Sequence, residues 1–179
     1  MKFIAKFELL LITLWLGAAC FFTLGVAPSA FGVLPSRELA GGIVNRTLTI
    51  LNFSGLIIGI LLILSSFISR GETRQIWAWL QRLLLLIVAA ACGVGQLIIG
   101  FYLNQLRFMI GKPIDELDAG DPLKLQFDTW HQYSVWALIT AMIAAFLAFF
   151  IISRTTTNSG KEKRTDSIPD FEFPDELKM

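Results

Sequence analysis

The chain has one histidine, His131, and two cysteines, Cys20 and Cys92, in 179 residues. A haem held by two histidines of one chain is therefore excluded. A zinc or non-haem iron site of the usual kind needs two or three nitrogen, sulfur or carboxylate ligands at close spacing. His131 and Asp128 supply two at i, i+3, and no third stands near them. Neither cysteine has a CxxC partner, and both sit among Ala, Gly and Leu, as buried apolar thiols do, with a disulfide between them as the less common alternative. There is no Walker or GxGxxG loop, and Ser134 lies near His131 without the GxSxG turn that exposes a nucleophile. Catalysis, a metal and a cofactor are accordingly not expected. Charge is scarce as well, at 16% of residues and a net +1, which argues against nucleic acid as a partner.

What is abundant is apolar surface. Apolar residues make up 55% of the chain and the mean hydropathy is +0.65. They gather into four blocks, at residues 9–33, 47–68, 83–103 and 134–152. A helix needs about 20 apolar residues, rising 1.5 Å each, to cross about 30 Å of hydrocarbon. None of the blocks alternates with period two, so helices are expected rather than barrel strands. The expectation is an all-α integral membrane four-helix bundle over residues 1–153, followed by a flexible, disordered tail over 154–179. The first block is longer than a signal-peptide core, and Pro28 follows its best small-residue site, so it reads as a retained helix.

Lysine and arginine near helix ends orient such a protein. With the N-terminus inside, the inner side holds Lys2, Lys6, Arg70, Arg74, Arg82, Arg154, Lys161, Lys163 and Arg164. The outer side then holds Arg37, Arg46, Arg107, Lys112 and Lys124. The bias predicts cytoplasmic termini. Trp77 and Trp79 at one end, and Trp130, Tyr133 and Trp136 at the other, suit headgroup depth. Trp15 differs, because it lies well inside the first block.

Polar side chains within spans usually face the bundle interior. Asn45, Thr49 and Asn52 fall on one face of the second helix, with Arg46 beside them. Gln96 and Asn104 lie in the outer part of the third, and Asp128, His131 and Ser134 at the outer start of the fourth. Two readings stand side by side. These groups either hydrogen-bond between helices at about 1 kcal/mol or less each, or line a polar pocket made of Arg46, Asn52, Gln96, Asp128, His131 and Ser134. Arg46 either supplies charge to an anion, pairs with Asp128, or snorkels to the headgroups. Below this level small residues recur: Gly55 and Gly59, Ala89 and Gly93, and the pairs Ala141/Ala145 and Ala144/Ala148. They predict close helix contact, within the monomer or in a dimer.

In GKPIDELDAGDPLKLQF, Pro113 suits the start of a short turn through Leu117, and Asp121-Pro122 reads as an N-cap followed by proline at N1. The fourth helix then begins near residue 122 and extends past the bilayer. Phe127, His131 and Ser134, at i, i+4 and i+7, form one stripe on it.

At these residues the chain resembles the transmembrane protein 205-like family, a small four-helix membrane domain of unknown function. The first-helix pattern is carried by Trp15, Gly17, Phe22, Ala27, Pro28 and Phe31, and the motif before the last helix by Phe127, Trp130, His131 and Ser134. The resemblance covers most of residues 8–152 and none of the tail. It implies four helices and structural roles for Trp15, Gly17, Pro28 and Phe127, and it implies no reaction. The expected function is that of an accessory or scaffold subunit in the lipid bilayer, packing on a membrane-protein partner or as a homo-oligomer. It would use its small-residue faces and the tail, whose Phe171 and Phe173 sit among acids. The alternative is a small transporter-like or ligand-binding bundle that uses the polar pocket.

Overall fold

The computed structural model describes residues 2–68 and 75–165. It consists of α1 (Lys2–Phe21), a π turn (Phe22–Val26), α2 (Ala27–Val33), α3 (Arg37–Ile68), α4 (Gln75–Gly93), a second π turn (Val94–Gly100), α5 (Phe101–Ile110), a 3-10 turn (Ile114–Glu116) and α6 (Pro122–Thr165). Because α1 and α2, and α4 and α5, run on through their π turns, these pieces make four rods. Four stretches are long and apolar enough to cross a membrane: Lys6–Val33, Arg37–Phe67, Gln75–Ile110 and Pro122–Arg154. Each is longer than its apolar block, so the rods tilt or extend past the hydrocarbon.

The ends of the rods follow from local chemistry. Ser36 caps α3: its Oγ accepts from the Leu39 N–H at 3.2 Å while its carbonyl accepts from Ala40 at 3.1 Å. At the end of α5, Gly111 takes the left-handed conformation at φ 64°, and its N–H reaches the Arg107 carbonyl at 3.1 Å. Asp121 starts α6 as expected, its carboxylate accepting from the Leu123 N–H at 2.8 Å. Pro113 precedes the short 3-10 turn instead of opening it. The fourth helix continues to Thr165, into the stretch expected to be a flexible tail from residue 154. Nothing in RTTTNSGKEKRT is a proline, so no residue there forbids the helix. Residues 166–179, including Phe171 and Phe173, and the flanking Arg70 and Arg74 lie outside the described residues.

The π turns were not legible from periodicity. In the first, the Ala27 N–H bonds to the Phe22 carbonyl, one residue further back than in an α-helix. Pro28, which has no N–H, sits just beyond it at the start of α2. The wider turn is placed where that missing donor would have interrupted the α ladder.

The rods pack in a ring, α1 on α3, α3 on α4, α4 on α6 and α6 back on α1, with neighbours antiparallel. Lipid gives helices no hydrophobic reason to associate, so close packing has to hold them. The small residues do this inside the monomer. A Cβ built on Gly55 would stand 2.6 Å from Cys92 Sγ and 2.7 Å from two atoms of the Trp15 indole. One built on Gly59 would stand 3.0 Å from Ala89 Cβ. Ala141, Ala144, Ala145 and Ala148 are all buried in the same core. Trp15 donates its Nε1–H to the Leu51 carbonyl at 3.0 Å, which ties α1 to α3 at the level of Gly55. Both cysteines are free thiols, with Cys92 buried and Cys20 half-buried.

Candidate functional site: a polar layer between two apolar cores

The apolar interior is split in two. The larger core runs from Ile12 and Leu62 to Cys92, Leu138 and Ile152. A smaller one, toward the loop between α5 and α6, joins Ile99, Leu103, Leu106 and Phe127. The polar residues picked out from the sequence fall between them. Asn52 follows Leu51 of the large core, and Gln96 stands between Cys92 and Ile99. Ser134 stands between Phe127 and Leu138.

The second π turn is the hinge of this layer. A Cβ on Gly95 would lie 3.4 Å from Asn52 Nδ2 and 3.8 Å from Ala137 Cβ, so α3, the π turn and α6 meet at one point. Gln96 lies along its own rod, with Nε2 3.5 Å from the place a Gly100 Cβ would take. Asn52 is 5% exposed and Ser134 7%. Among the described residues neither side chain makes a hydrogen bond, although every fully occluded side-chain nitrogen or oxygen has a partner. Their polar atoms are therefore not fully occluded. A turn or two closer to the loop, Asn45 Nδ2 donates to Asn104 Oδ1 at 3.4 Å.

The remaining expected members do not converge on Asn52. Arg46 and Asp128 are exposed, and among the described residues they form no ion pair with each other. His131 is exposed too, its ring parallel to that of Phe127 with centroids 6.3 Å apart. Phe127 itself is buried, and on this stripe only the histidine turns outward. The guanidinium of Arg107 lies 5.4 Å from the Phe127 centroid and close to Gly41 of α3. Arg107, not Arg46, is thus the cation above the layer. The sequence marked it only as a charge at a helix end. Of the four positions tied to structural roles, Trp15 and Phe127 are buried while Gly17 and Pro28 are exposed, and nothing lies within 4 Å of a Cβ on Gly17.

A second polar cluster, at the end of the bundle that carries the N-terminus, went unrecognised. Glu8 is 5% exposed, its carboxyl accepts from the Ser65 hydroxyl of α3, and the buried Gln81 side chain of α4 stands close by. Next to it Arg82 donates from Nε to Ser66 Oγ at 3.0 Å and from Nη2 to the Ser66 carbonyl at 2.9 Å, and stands 4.3 Å over the Phe67 ring. The available signal was that Glu8, Ser65 and Gln81 each fall at the edge of an apolar block. In the sequence such residues read as flanks.

No curated protein and no solved structure matches the chain. A family model does match, over residues 10–112, which is more than half of the length and spans the first three rods but not α6. The chain belongs to that family, described as a domain of unknown function (DUF4149).

Proposed function

We propose that this is a non-enzymatic, multi-pass membrane protein whose polar layer holds a small hydrogen-bonding or anionic molecule. The observation that carries the reading is the pair Asn52 and Ser134, buried on two different helices without hydrogen-bond partners among the described residues. A buried polar group left without a partner costs about 1–3 kcal/mol. A site with two such groups is where a ligand, or the water it displaces, supplies the missing bonds. The amides and hydroxyl select for hydrogen-bonding groups, and Arg107 above them favours negative charge.

The charge bias of the flanks supports cytoplasmic termini, which would open the layer to the outer side. A closer kinship to the transmembrane protein 205-like family belongs to this proposal as well, supported by Trp15, Pro28, Phe127, His131 and Ser134. The accessory-subunit reading needs a docking face other than the Gly55–Gly59 and alanine stripes, because these are buried against the protein's own helices.

The test is native mass spectrometry of the protein released from lipid nanodiscs. Wild type is expected to carry a small adduct that Asn52→Leu and Gly95→Leu lose while still folding. Equal adduct patterns in all three would end the ligand reading. Release in a larger complex with another membrane protein would instead favour the accessory subunit.

A further inference from the structure

Each end of the bundle sets an arginine over a phenylalanine ring, and the two arginines differ in what they hold. At the N-terminal end Arg82 stands 4.3 Å from the Phe67 centroid and gives its donors to Ser66, from Nε to the hydroxyl and from Nη2 to the carbonyl. At the other end Arg107, in the last turn of α5, stands 5.4 Å from the centroid of the buried Phe127. It is half-buried, and among the described residues its guanidinium makes no hydrogen bond and no ion pair. Glu38, three residues before Gly41 on α3, is the carboxylate close to it and does not pair with it. A guanidinium carries five N–H donors in a planar fork, and an aromatic face satisfies none of them as an acceptor oxygen would.

The seam between α3 and α5 leads to that fork. Arg107 Nη2 lies 3.5 Å from where a Gly41 Cβ would stand, and the exposed Gly42 beside it has nothing within 4 Å of a Cβ. One turn deeper, Asn45 Nδ2 donates to Asn104 Oδ1 at 3.4 Å and closes the seam from below. Asn104 also lines a trough of about 470 Å³ on the outer face of α5, together with Phe101, Gln105, Phe108 and Met109. Ligand sites commonly measure about 300–1,000 Å³. Phe101 is 61% exposed and Phe108 89%, on a rod apolar enough to cross a membrane, so the trough opens toward acyl chains. Two further cations stand at this end: Arg46 follows Asn45, and Lys112 follows the Gly111 cap. Both are exposed, and among the described residues neither forms an ion pair.

We infer that the α3–α5 seam binds an anionic phospholipid, whose phosphate takes the Arg107 fork and one of whose acyl chains lies in the Phe101–Met109 trough. Guanidinium and phosphate match through paired, charge-assisted N–H···O bonds. Arg46 and Lys112 disfavour a headgroup that carries its own ammonium, which selects phosphatidylglycerol over phosphatidylcholine. The inference rests on the rods lying in a bilayer and not on the ligand assigned to Asn52 and Ser134.

The experiment is native mass spectrometry of full-length protein released from nanodiscs of phosphatidylcholine mixed with phosphatidylglycerol. Wild type should retain phosphatidylglycerol in preference to phosphatidylcholine. Arg107→Gln should hold it about tenfold less well, as the loss of a charge-assisted pair implies. Arg37→Gln alters an exposed cation already paired with Asp115 at 3.7 Å and should bind as wild type does. Asn52→Leu should keep the phospholipid even where it loses a small adduct, so failure at either site is read separately. The inference is overturned if wild type retains the two lipids alike, if Arg107→Gln binds as wild type, or if Arg37→Gln weakens binding equally. It is overturned as well if added inorganic phosphate displaces the lipid, because the site then takes a free anion. Should Arg107→Gln fail to fold, Arg107→Lys keeps the charge over Phe127 and removes the fork: reduced retention supports the site, and unchanged retention overturns it.

Discussion

Replacing Gly55 by alanine should destabilise the bundle although the same change at most helical positions does the reverse. In an open helix interior, Gly→Ala gains about 0.8–1.0 kcal/mol of helix propensity. At Gly55 the new methyl meets Cys92 Sγ at 2.6 Å and the Trp15 indole at 2.7 Å, where carbon and sulfur pack comfortably nearer 3.5–4.0 Å. The shift required is therefore on the order of 1 Å on two sides. Cys92 can turn about one bond. Trp15 cannot yield so easily, since its Nε1–H is tied to the Leu51 carbonyl one turn along the same helix. Overpacking of this kind costs about 1–3 kcal/mol, and breaking the indole bond adds about 1 kcal/mol. Against the propensity gain, the net loss is roughly 1–3 kcal/mol by these figures.

The control is Gly17→Ala, where a Cβ meets nothing within 4 Å and only the propensity gain remains. The two variants, unfolded reversibly in mixed micelles and followed by tryptophan fluorescence, should differ by roughly 2–4 kcal/mol. Adding Cys92→Ala should recover part of the loss, because it removes one of the two colliding groups and the sites are in direct contact. If Gly55→Ala proves as stable as Gly17→Ala, the contact between α1, α3 and α4 is not the close one described, and the internal use of the GxxxG stripe fails with it.

Other positions give sharper or smaller effects. Trp15→Phe keeps the ring and loses the bond to Leu51, so about 1 kcal/mol of stability should disappear in the same unfolding assay. Gly111→Ala has open space but a φ of 64°, so about 1–2 kcal/mol should be lost through backbone strain alone, with asparagine tolerated better than alanine. Asp121→Ala removes the acceptor for the Leu123 N–H at the start of α6. It should cost about 1 kcal/mol and speed hydrogen exchange in the first turn of that helix, and unchanged exchange there would refute the cap.

How far the fold could be read in advance depended on the kind of signal. Apolar block length and the absence of alternation were enough for four membrane-length helices, because in lipid the backbone has few other options. Asp121-Pro122 was enough for the start of α6, because a cap is a local chemical event. The π turns escaped because one extra residue in a turn leaves an apolar run just as apolar. They nevertheless decide which polar residues meet, since Gly95 lies within one of them. The stripe Phe127–His131–Ser134, on a helix without a π turn, spans different depths. Phe127 and Ser134 point into the bundle, while His131 lies over the Phe127 ring at its edge.

The depth of a polar residue along its helix proved a poorer guide than what it packs beside. Asn52 and Glu8 are equally buried, yet only Asn52 stood inside an apolar block and drew attention. Glu8 stands just before the first apolar block, where a charged residue draws no notice. In the bundle the Ser65 hydroxyl of α3 donates to its carboxyl, and the residue at the edge of the block is buried. The bundle then has a polar group at each end of a core held by Gly55, Gly59 and the alanines of α6. The chemistry differs at the two ends: among the described residues Asn52 and Ser134 lack hydrogen-bond partners, whereas Glu8 has Ser65. An unpartnered amide and hydroxyl call for a molecule that brings hydrogen bonds, whereas the Glu8 carboxyl already takes one from Ser65 within the bundle. This is why a bound small molecule is sought at the first site and not at the second.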